Sequence, residues 1–513
     1  MTKKSLLKDH FLKKIFKEKF IFYKPKNKLN NNLLFVDRER VDTIFDFSVL
    51  SLAISNKYNL NTIILSDQKK NSLITKIYKK LGYNRFVSGF STNKVFSKPF
   101  ISFKTILYFF YSSFFTYIFG FNWLINKFHI NQIYIGDLIY DTNIRYEKRF
   151  LNPKADIYFL KILFSSIFRF FLIKEYLISY NIKKILVGTE TGSRNHGIAL
   201  RISSKLNIKN YTFFRFDRRG ISIISHEKNY YKNGIGNISK KEFKTIAKRI
   251  DISKVNDFYL KRRKFKTDNW YSRNDHSKAN IGSPEGLKFI NSLSKKKAKI
   301  ILYASHAFAD APHAPGSFIF NDYFEQFKET LKHARNDNKN IWIFRAHQNS
   351  RILNEKKIFR DHIFYEKKKN ILLCPDNVPI QKLLDKCDVI ITGRGTIGFE
   401  SAALGKKVIV AGAAPYSELD IVYQPLTQKE YFQYIKNIEN LKFDSNQIKK
   451  VSRQLIYIFE NSLNVKTIKI KNLYAKPNYD HYIRNFLTFD YTYDILSKNI
   501  FLSQLYKKLF KII

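Results

Sequence analysis

The strongest constraint in this chain is a repeated punctuation. Short apolar runs recur at Leu33–Val36, Thr62–Leu65, Gln132–Ile135, Lys184–Val187 and Tyr211–Phe214 in the first half. They recur at Lys299–Tyr303, Ile341–Arg345, Asn370–Leu373, Asp388–Ile391 and Val408–Ala411 in the second. None alternates apolar with polar, and each is followed by polar residues or glycine. A strand that is apolar on both faces has to be covered on both faces, as parallel strands are between layers of helices. Helical patterns such as Phe318–Ala334 and Thr396–Leu404 lie between the runs. The expected fold is therefore α/β, with βαβ units repeated in two halves and two Rossmann-like parallel-sheet domains.

At 513 residues the chain has room for two large domains or three ordinary ones. The expected boundary lies near Ser292. Residues 1–291 form the first domain, with an aromatic helical insertion at about 101–128 and a polar connector at about 216–291. Residues 292–479 form the second, ending in a helix at Gln447–Asn461. Residues 480–513 form a basic helical tail. A hydrophobic content of 44% excludes a disordered chain. Two cysteines, Cys374 and Cys387, exclude a disulfide scaffold and a cysteine-ligated zinc site, and point to a reducing compartment.

The formal net charge is +49. Such a charge suits nucleic acid, an anionic membrane or acidic ligands. The excess is mostly lysine, and no zinc finger, RNA-recognition signature or basic heptad accompanies it, so nucleic acid is not expected as a partner. An anionic membrane surface fits better, beside the plain reading of solvated lysines over ordinary helices. Residues Met1–Tyr23 read as a basic amphipathic surface helix without a cleavage site. Between Lys104 and Lys127 no residue is charged, and the stretch approaches the ~20 residues that a transmembrane helix needs. Its many Phe and Tyr residues and its polar ones favour a buried or interfacial helix. Ile157–Ile173, with Lys161 and Arg169 inside it, reads the same way. The expected location is cytoplasmic, peripheral on the inner face of the cytoplasmic membrane.

In open α/β sheets ligands bind beyond the carboxyl ends of the strands. Asp388–Ile391 leads into Thr392-Gly393-Arg394-Gly395-Thr396-Ile397-Gly398 and then a helix. Glycines that admit a ligand to the backbone, a helix N-terminus and an arginine make a candidate phosphate cradle, or else a plain tight turn. The match to G-x-G-x-x-G is discounted as a dinucleotide fingerprint, because it does not open its domain. Ile341–Arg345 runs into His347, a candidate donor to a phosphate oxygen or acid for a leaving group. Lys299–Tyr303 runs into His306, Asp310 and His313, whose spacing matches no zinc motif. Asp37, Asp137, Asp141 and Glu190 follow strands of the first half. Each is a candidate base and, singly, more simply a cap or loop acceptor.

These residues resemble a family. CDVIITGRGTIGFESAALGKKVIVAG resembles the late half-domain of GT-B glycosyltransferases, in particular bacterial surface-carbohydrate and capsule biosynthesis proteins. WIFRAHQNS sits where related transferases carry Lys-Pro-His-Pro, with Gln348 replacing the second proline. ILYASHAFADAPHAPGSFIFNDYFEQFKETL looks like the opening of the same domain. IYIGDLIYDTNIR and DRERVDTIFDFSVLSLAI look like N-terminal-domain signatures of that group. The resemblance implies a GT-B-like pair of domains facing a cleft, with a nucleotide-sugar in the second and a glycan or lipid-linked acceptor toward the first. Arg345, His347, Gly393, Arg394, Gly395, Thr396 and Glu400 would hold the donor. His306, His313 and Glu190 would line the cleft. The Ser-Ser or Ser-Thr pair of cytidine-nucleotide-sugar transferases is replaced by Arg394-Gly395-Thr396.

The expected activity is a glycosyltransferase of capsular or surface polysaccharide synthesis, inverting and metal-independent. It would have no tightly bound cofactor and a nucleotide-sugar as co-substrate. In such enzymes basic groups and a helix end neutralise the leaving phosphate. The base on the acceptor hydroxyl is ranked Asp137, Asp141, then Asp310. The rivals are a polyol-phosphate transferase or nucleotide-sugar epimerase on the same fold, and a non-catalytic membrane scaffold of polysaccharide assembly.

Overall fold

The computed structural model describes residues 30–37, 39, 44–69, 71–145, 149–188, 195–214, 220–226, 237–263, 282–294, 298–347, 350, 355–366, 368–376, 378–460 and 467–469, with Tyr23 and Pro25 ahead of them. The tail at 480–513, and the amino-terminal helix expected before Tyr23, lie outside these residues. The chain divides into two compact units. The first comprises 1–139, 155–228 and 465–513, and the second 140–154 and 229–464.

The first unit opens with β1 (Asn32–Val36), α1 (Ile44–Lys57), β2 (Asn61–Leu65), α2 (Leu73–Lys80), β3 (Phe86–Val87) and α3 (Thr92–Ser97). It continues with α4 (Pro99–Lys127), β4 (His129–Ile130), β5 (Ile133–Tyr134) and α5 (Gly136–Ile144), which runs across the division of the units. After it come α6 (Ile157–Ser179), β6 (Ile182–Gly188), α7 (Asn195–Lys205), β7 (Lys209–Phe214) and β8 (Gly220–His226). The strand order is β14-β8-β7-β6-β1-β2-β3. The five strands from β7 to β3 are parallel, whereas β8 and the late strand β14 (Thr467–Lys469) add an antiparallel edge. Every residue of β1 and of β2 is buried, as a sheet covered on both faces requires.

The second unit holds α8 (Lys240–Ala247), α9 (Ile252–Arg263), α10 (Pro284–Leu293), β9 (Ile300–Ala304), α11 (Tyr323–Arg335), β10 (Ile341–Arg345) and α12 (Lys356–Phe364). It continues with β11 (Ile371–Leu373), α13 (Ile380–Lys386), β12 (Val389–Thr392), α14 (Ile397–Ala402), β13 (Lys407–Val410), α15 (Gln428–Lys436) and α16 (Ser445–Glu460). Its order, β11-β10-β9-β12-β13, is all parallel. This is the doubly wound arrangement, and its order reverses between β9 and β12.

Three expectations change. Gln132–Ile135 is not a strand of the large sheet. Ile133–Tyr134 pairs antiparallel with His129–Ile130 in a small hairpin. Asn131 (φ 50°) and Gln132 (φ 62°) both sit in the left-handed region, as a two-residue turn of this hand requires. The division of the units falls at 228/229, not near Ser292. Ile238, Phe243, Ile246, Tyr259, Ile290 and Leu293 share one core with the second sheet's Ile300, Leu302 and Ile390. That apolar burial ties α8, α9 and α10 to the second unit. Residues 140–154 also belong there, because Phe150 packs against Phe308 and Phe324, with ring centroids 5.5 Å apart in each case.

Candidate functional site

The switch point of the second sheet is where a ligand crevice is expected, so the loops after β9, β10 and β12 decide the site. The loop after β9 is long and rich in backbone groups that a helix or sheet would otherwise satisfy. Two buried carboxylates take its N–H groups instead. Glu355 accepts from Phe308 N (2.9 Å) and Ala309 N (2.7 Å). Asp141, at the end of α5, accepts from His313 N (2.9 Å) and Ala314 N (2.7 Å), and from the His313 ring at 2.7 Å. Arg394 takes carbonyls of the same loop. Its Nη2 donates to Pro312 O (2.5 Å), Ser317 O (3.1 Å) and Gly316 O (3.3 Å). Each buried donor or acceptor left unpaired costs about 1–3 kcal/mol, so these three side chains fix the path of residues 307–317.

On this held loop His306 lies flat between two rings. Its centroid is 4.2 Å from Tyr323 and 5.2 Å from His347, nearly parallel to both. Tyr323 opens α11, where Asp322 caps the helix by accepting from Glu325 N at 2.7 Å. Tyr140 donates to the other Asp322 oxygen at 2.5 Å. Burial pushes the His306 imidazole down to about 4, and lowers His347 as well. Both rings are thus neutral near pH 7, each with one N–H to donate and one lone pair to accept. Asp310 Oδ2 lies 3.5 Å from His306 Nδ1, and Arg145 stands 3.9 Å from the other Asp310 oxygen. The Asp310 side chain is 44% exposed, whereas Asp141 has no exposed surface.

The residues expected after β12 take more specific parts. Gly393 is required by packing, since a Cβ there would meet Tyr323 Cε1 at 2.7 Å. At Gly395 the nearest atom to a Cβ would be Thr392 Oγ1 at 3.4 Å, an ordinary contact. Thr396 stands at the N-cap of α14, which spans only six residues and so aligns few peptide dipoles. Arg394 is nine-tenths buried, and its Nε and Nη1 have no hydrogen-bond partner among the described residues. Glu400 is paired with Arg262 of α9 at 2.8 Å, both largely buried. Arg345 reaches sideways, donating to Val378 O at 3.2 Å. So Tyr323, His347, Asp310 and Arg394 gather around His306, whereas Arg345 and Glu400 are engaged elsewhere in the unit.

In the first unit Asp137 forms a two-pronged pair with Arg201, at 2.6 and 2.7 Å, and Arg201 also donates to Tyr134 O. That leaves Asp137 a structural ion pair. Glu190 lies outside the described residues. The switch point of this sheet holds Asp37, which accepts from Tyr78 Oη (2.8 Å) and Ser66 Oγ (3.0 Å). Burial pushes its carboxyl up to about 6 despite those donors. Gly188 N–H donates to His196 Nδ1, which puts the ring proton on Nε2, facing Asp37 O at 2.9 Å.

Sequence reasoning missed Glu355, Tyr140 and Tyr323. The Asp-x-x-Glu spacing at Asp322 and Glu325 does announce the start of α11, and hence the place of Tyr323. Nothing in the local sequence of Glu355 or Tyr140 shows that each folds against a distant loop. Among the described residues no group of three His, Cys, Asp or Glu side chains is arranged to hold a metal ion.

Residues 218–448 match the model of a family described as "Capsule polysaccharide biosynthesis protein". Among curated proteins no sequence matches this chain. Solved structures overlay on it loosely. The KpsC beta Kdo 2,4 transferase of Thermosulfurimonas dismutans is 13% identical, with 53% of this chain and 79% of that one covered at a TM-score of 0.31. A glycosyltransferase from Rickettsia africae is 13% identical, with 95% and 100% covered at 0.27. The UDP-GlcNAc 2-epimerase of Neisseria meningitidis is 10% identical, with 84% and 99% covered at 0.26. None of these overlays is close enough to carry a residue-by-residue correspondence.

Proposed function

We propose that this chain is an inverting glycosyltransferase-like enzyme using a nucleotide-sugar donor, a reading supported by the match of residues 218–448 to the capsule polysaccharide biosynthesis family. The observation that carries this reading is the held loop at the second sheet's switch point. It brings together two stacked, neutral imidazoles and a buried guanidinium. A transferase of this kind has to stabilise the leaving diphosphate and deprotonate an acceptor hydroxyl. Arg394 Nε and Nη1 supply fixed positive donors to the diphosphate, and the His306 and His347 N–H groups supply neutral ones. With these donors no metal ion is needed. Gly395 and Thr396 line the same turn.

Asp310 is the base on the acceptor hydroxyl. Of the three candidate carboxylates it is the most exposed, and its Oδ2 lies 3.5 Å from His306 Nδ1. Asp141 and Asp137 position the chain instead, through His313 and Arg201. The acceptor is a glycan, free or lipid-linked, and the enzyme works on the inner face of the cytoplasmic membrane.

The test is a thermal-shift screen against CMP, UDP, GDP, dTDP and CDP. One nucleotide should raise the melting temperature by mass action. His347→Ala should lose that shift with little change in its own melting temperature. Asp310→Asn should keep the shift and lose turnover. A folded protein that responds to none of the five would overturn the donor-site assignment.

A further inference from the structure

Helix α4 is built inside out. Its regular part runs from Pro99 to Phe119, where Gly120 (φ 72°, ψ −175°) breaks it, so it is about 30 Å long. The stripe turned to the protein carries Ile101, Thr105, Ser112 and Thr116. The hydroxyls in it bond back to their own helix, Thr105 to Ile101 O at 2.8 Å and Ser112 to Tyr108 O at 2.7 Å. Small side chains let α6 approach closely, and Phe109 meets Phe164 at its flank, 5.6 Å between centroids. The outward face carries the large apolar residues. Phe100, Phe103, Phe110, Phe114 and Tyr117 are each more than half exposed, Tyr117 by 84%. More than half of the exposed large hydrophobic residues among those described fall between Phe96 and Phe119.

A helix on an aqueous surface does the reverse, because burying one such side chain is worth about 1.5–3 kcal/mol. A contiguous apolar face of this size marks a contact surface. The charge around it says what kind. From Gln68 to Gly136 the chain has no Asp or Glu, and Lys94, Lys104 and Lys127 flank or punctuate the face, while Lys98 is paired with Glu175 of α6 at 2.6 Å. Lys104 Nζ sits 4.0 Å over the Phe100 ring, so its stem covers apolar surface while its charge stays at the rim. An open groove of about 560 Å³ at the far end is lined by Leu107, Tyr108, Tyr111, Lys127, His129 and Gln132. No described helix is long and apolar enough to cross a membrane. Aromatic rings rimmed by lysine, on a helix that does not cross, suit the boundary between lipid headgroups and acyl chains.

We propose that the outward face of α4 lies flat in the surface of an anionic phospholipid bilayer and anchors the protein there. This deepens the membrane location given above and rests on it, but not on the transferase chemistry. The Glu175 carboxylate at its edge is paired with Lys98, so the remaining rim lysines suit the phosphates of an anionic lipid.

The test uses the full chain and vesicles of phosphatidylcholine with and without phosphatidylglycerol. The changes Phe103→Glu, Phe110→Glu and Tyr117→Glu, made together, alter exposed positions only. The wild type should sediment with the mixed vesicles, and more weakly as salt rises. The triple variant should lose roughly tenfold or more of that affinity, since each change removes apolar burial and adds a like charge to the lipid. Its nucleotide-dependent thermal shift should be unchanged, which separates this proposal from the donor-site assignment. Equal binding by wild type and variant would assign the contact to the basic surface elsewhere and overturn the proposal. So would a wild type that ignores vesicles but forms a dimer that the variant abolishes.

Discussion

Beyond β1 the first sheet buries a carboxyl, Asp37. Beyond β9 the second encloses an imidazole, His306. The two parallel cores have corresponding strand orders, β3-β2-β1-β6-β7 and β11-β10-β9-β12-β13, and both residues stand at the switch point. Their surroundings differ in purpose. Asp37 is closed in by Tyr78, Ser66 and the His196 ring, each of which makes a hydrogen bond there. His306 is stacked between Tyr323 and His347, its ring edges turned to Asp310. One switch point is filled by its own side chains, and at the other Arg394 Nε and Nη1 have no hydrogen-bond partner among the described residues. A shared topology sets where chemistry can sit, and the side chains decide whether it does.

The largest effects should separate the two carboxylates of α5, which serve different units. Asp137→Ala strands a buried Arg201, and Asp141→Ala strands two backbone N–H groups and the His313 ring. Each should cost about 3–5 kcal/mol, read as a drop in urea midpoint. Only Asp141→Ala should also abolish the nucleotide-dependent thermal shift. If both variants lose it, or neither does, the division of labour between the units is refuted.

Next in size are two pH effects of opposite sign. The folded pKa of Asp37 is raised from 3.8 to about 6, so the folded state holds that proton more tightly than the unfolded one. Stability from this group is full below pH 4 and falls as pH rises through 6, by about 3 kcal/mol. The folded pKa of His306 is depressed from 6.5 to about 4, so the unfolded state binds the proton first. Stability from this group is full above pH 6.5 and falls as pH drops through 4, again by about 3 kcal/mol. Asp37→Asn should therefore gain on the wild type as pH rises from 4 to 6. His306→Gln should gain as pH falls from 6.5 to 4. Urea titrations across pH 4 to 8 check both, and parallel curves would mean that neither group is enclosed as described.

Arg394→Ala should combine binding and stability. It frees three carbonyls of the loop, so a loss of about 1–3 kcal/mol should accompany the loss of nucleotide response. The smallest effects sharpen the glycine turn. Gly393→Ala drives a methyl into Tyr323 and should cost about 1–3 kcal/mol in a denaturant titration. Gly395→Ala meets only ordinary contacts, the nearest being Thr392 Oγ1 at 3.4 Å, and should stay within about 0.5 kcal/mol.

How much of this was legible beforehand depends on range. The strands Ile341–Arg345 and Asp388–Ile391 showed because a strand buried on both faces leaves an unbroken apolar run. The turn holding Arg394 showed because glycines mark it. Gln132–Ile135 misled, since its apolar residues look the same in a hairpin as in a parallel sheet. The boundary near Ser292 is not legible in the sequence, because the polar stretch before it contains Ile238, Phe243 and Ile290, which reach a distant core.

The sequence by itself determined the α/β architecture, the strand ends where a ligand can bind, and the aromatic, uncharged stretch inside α4. These follow from periodicity and local conformational preference, which act over a few residues. Only the tertiary structure decided that Glu355 and Asp141 grip one loop, that Arg394 turns back onto that loop, and that α4 faces its rings outward. Those assignments depend on which unpaired N–H or carbonyl stands opposite which charge, and on which face of a helix meets a neighbour. They are set by partners up to 173 residues away along the chain, for which the local sequence carries no signal.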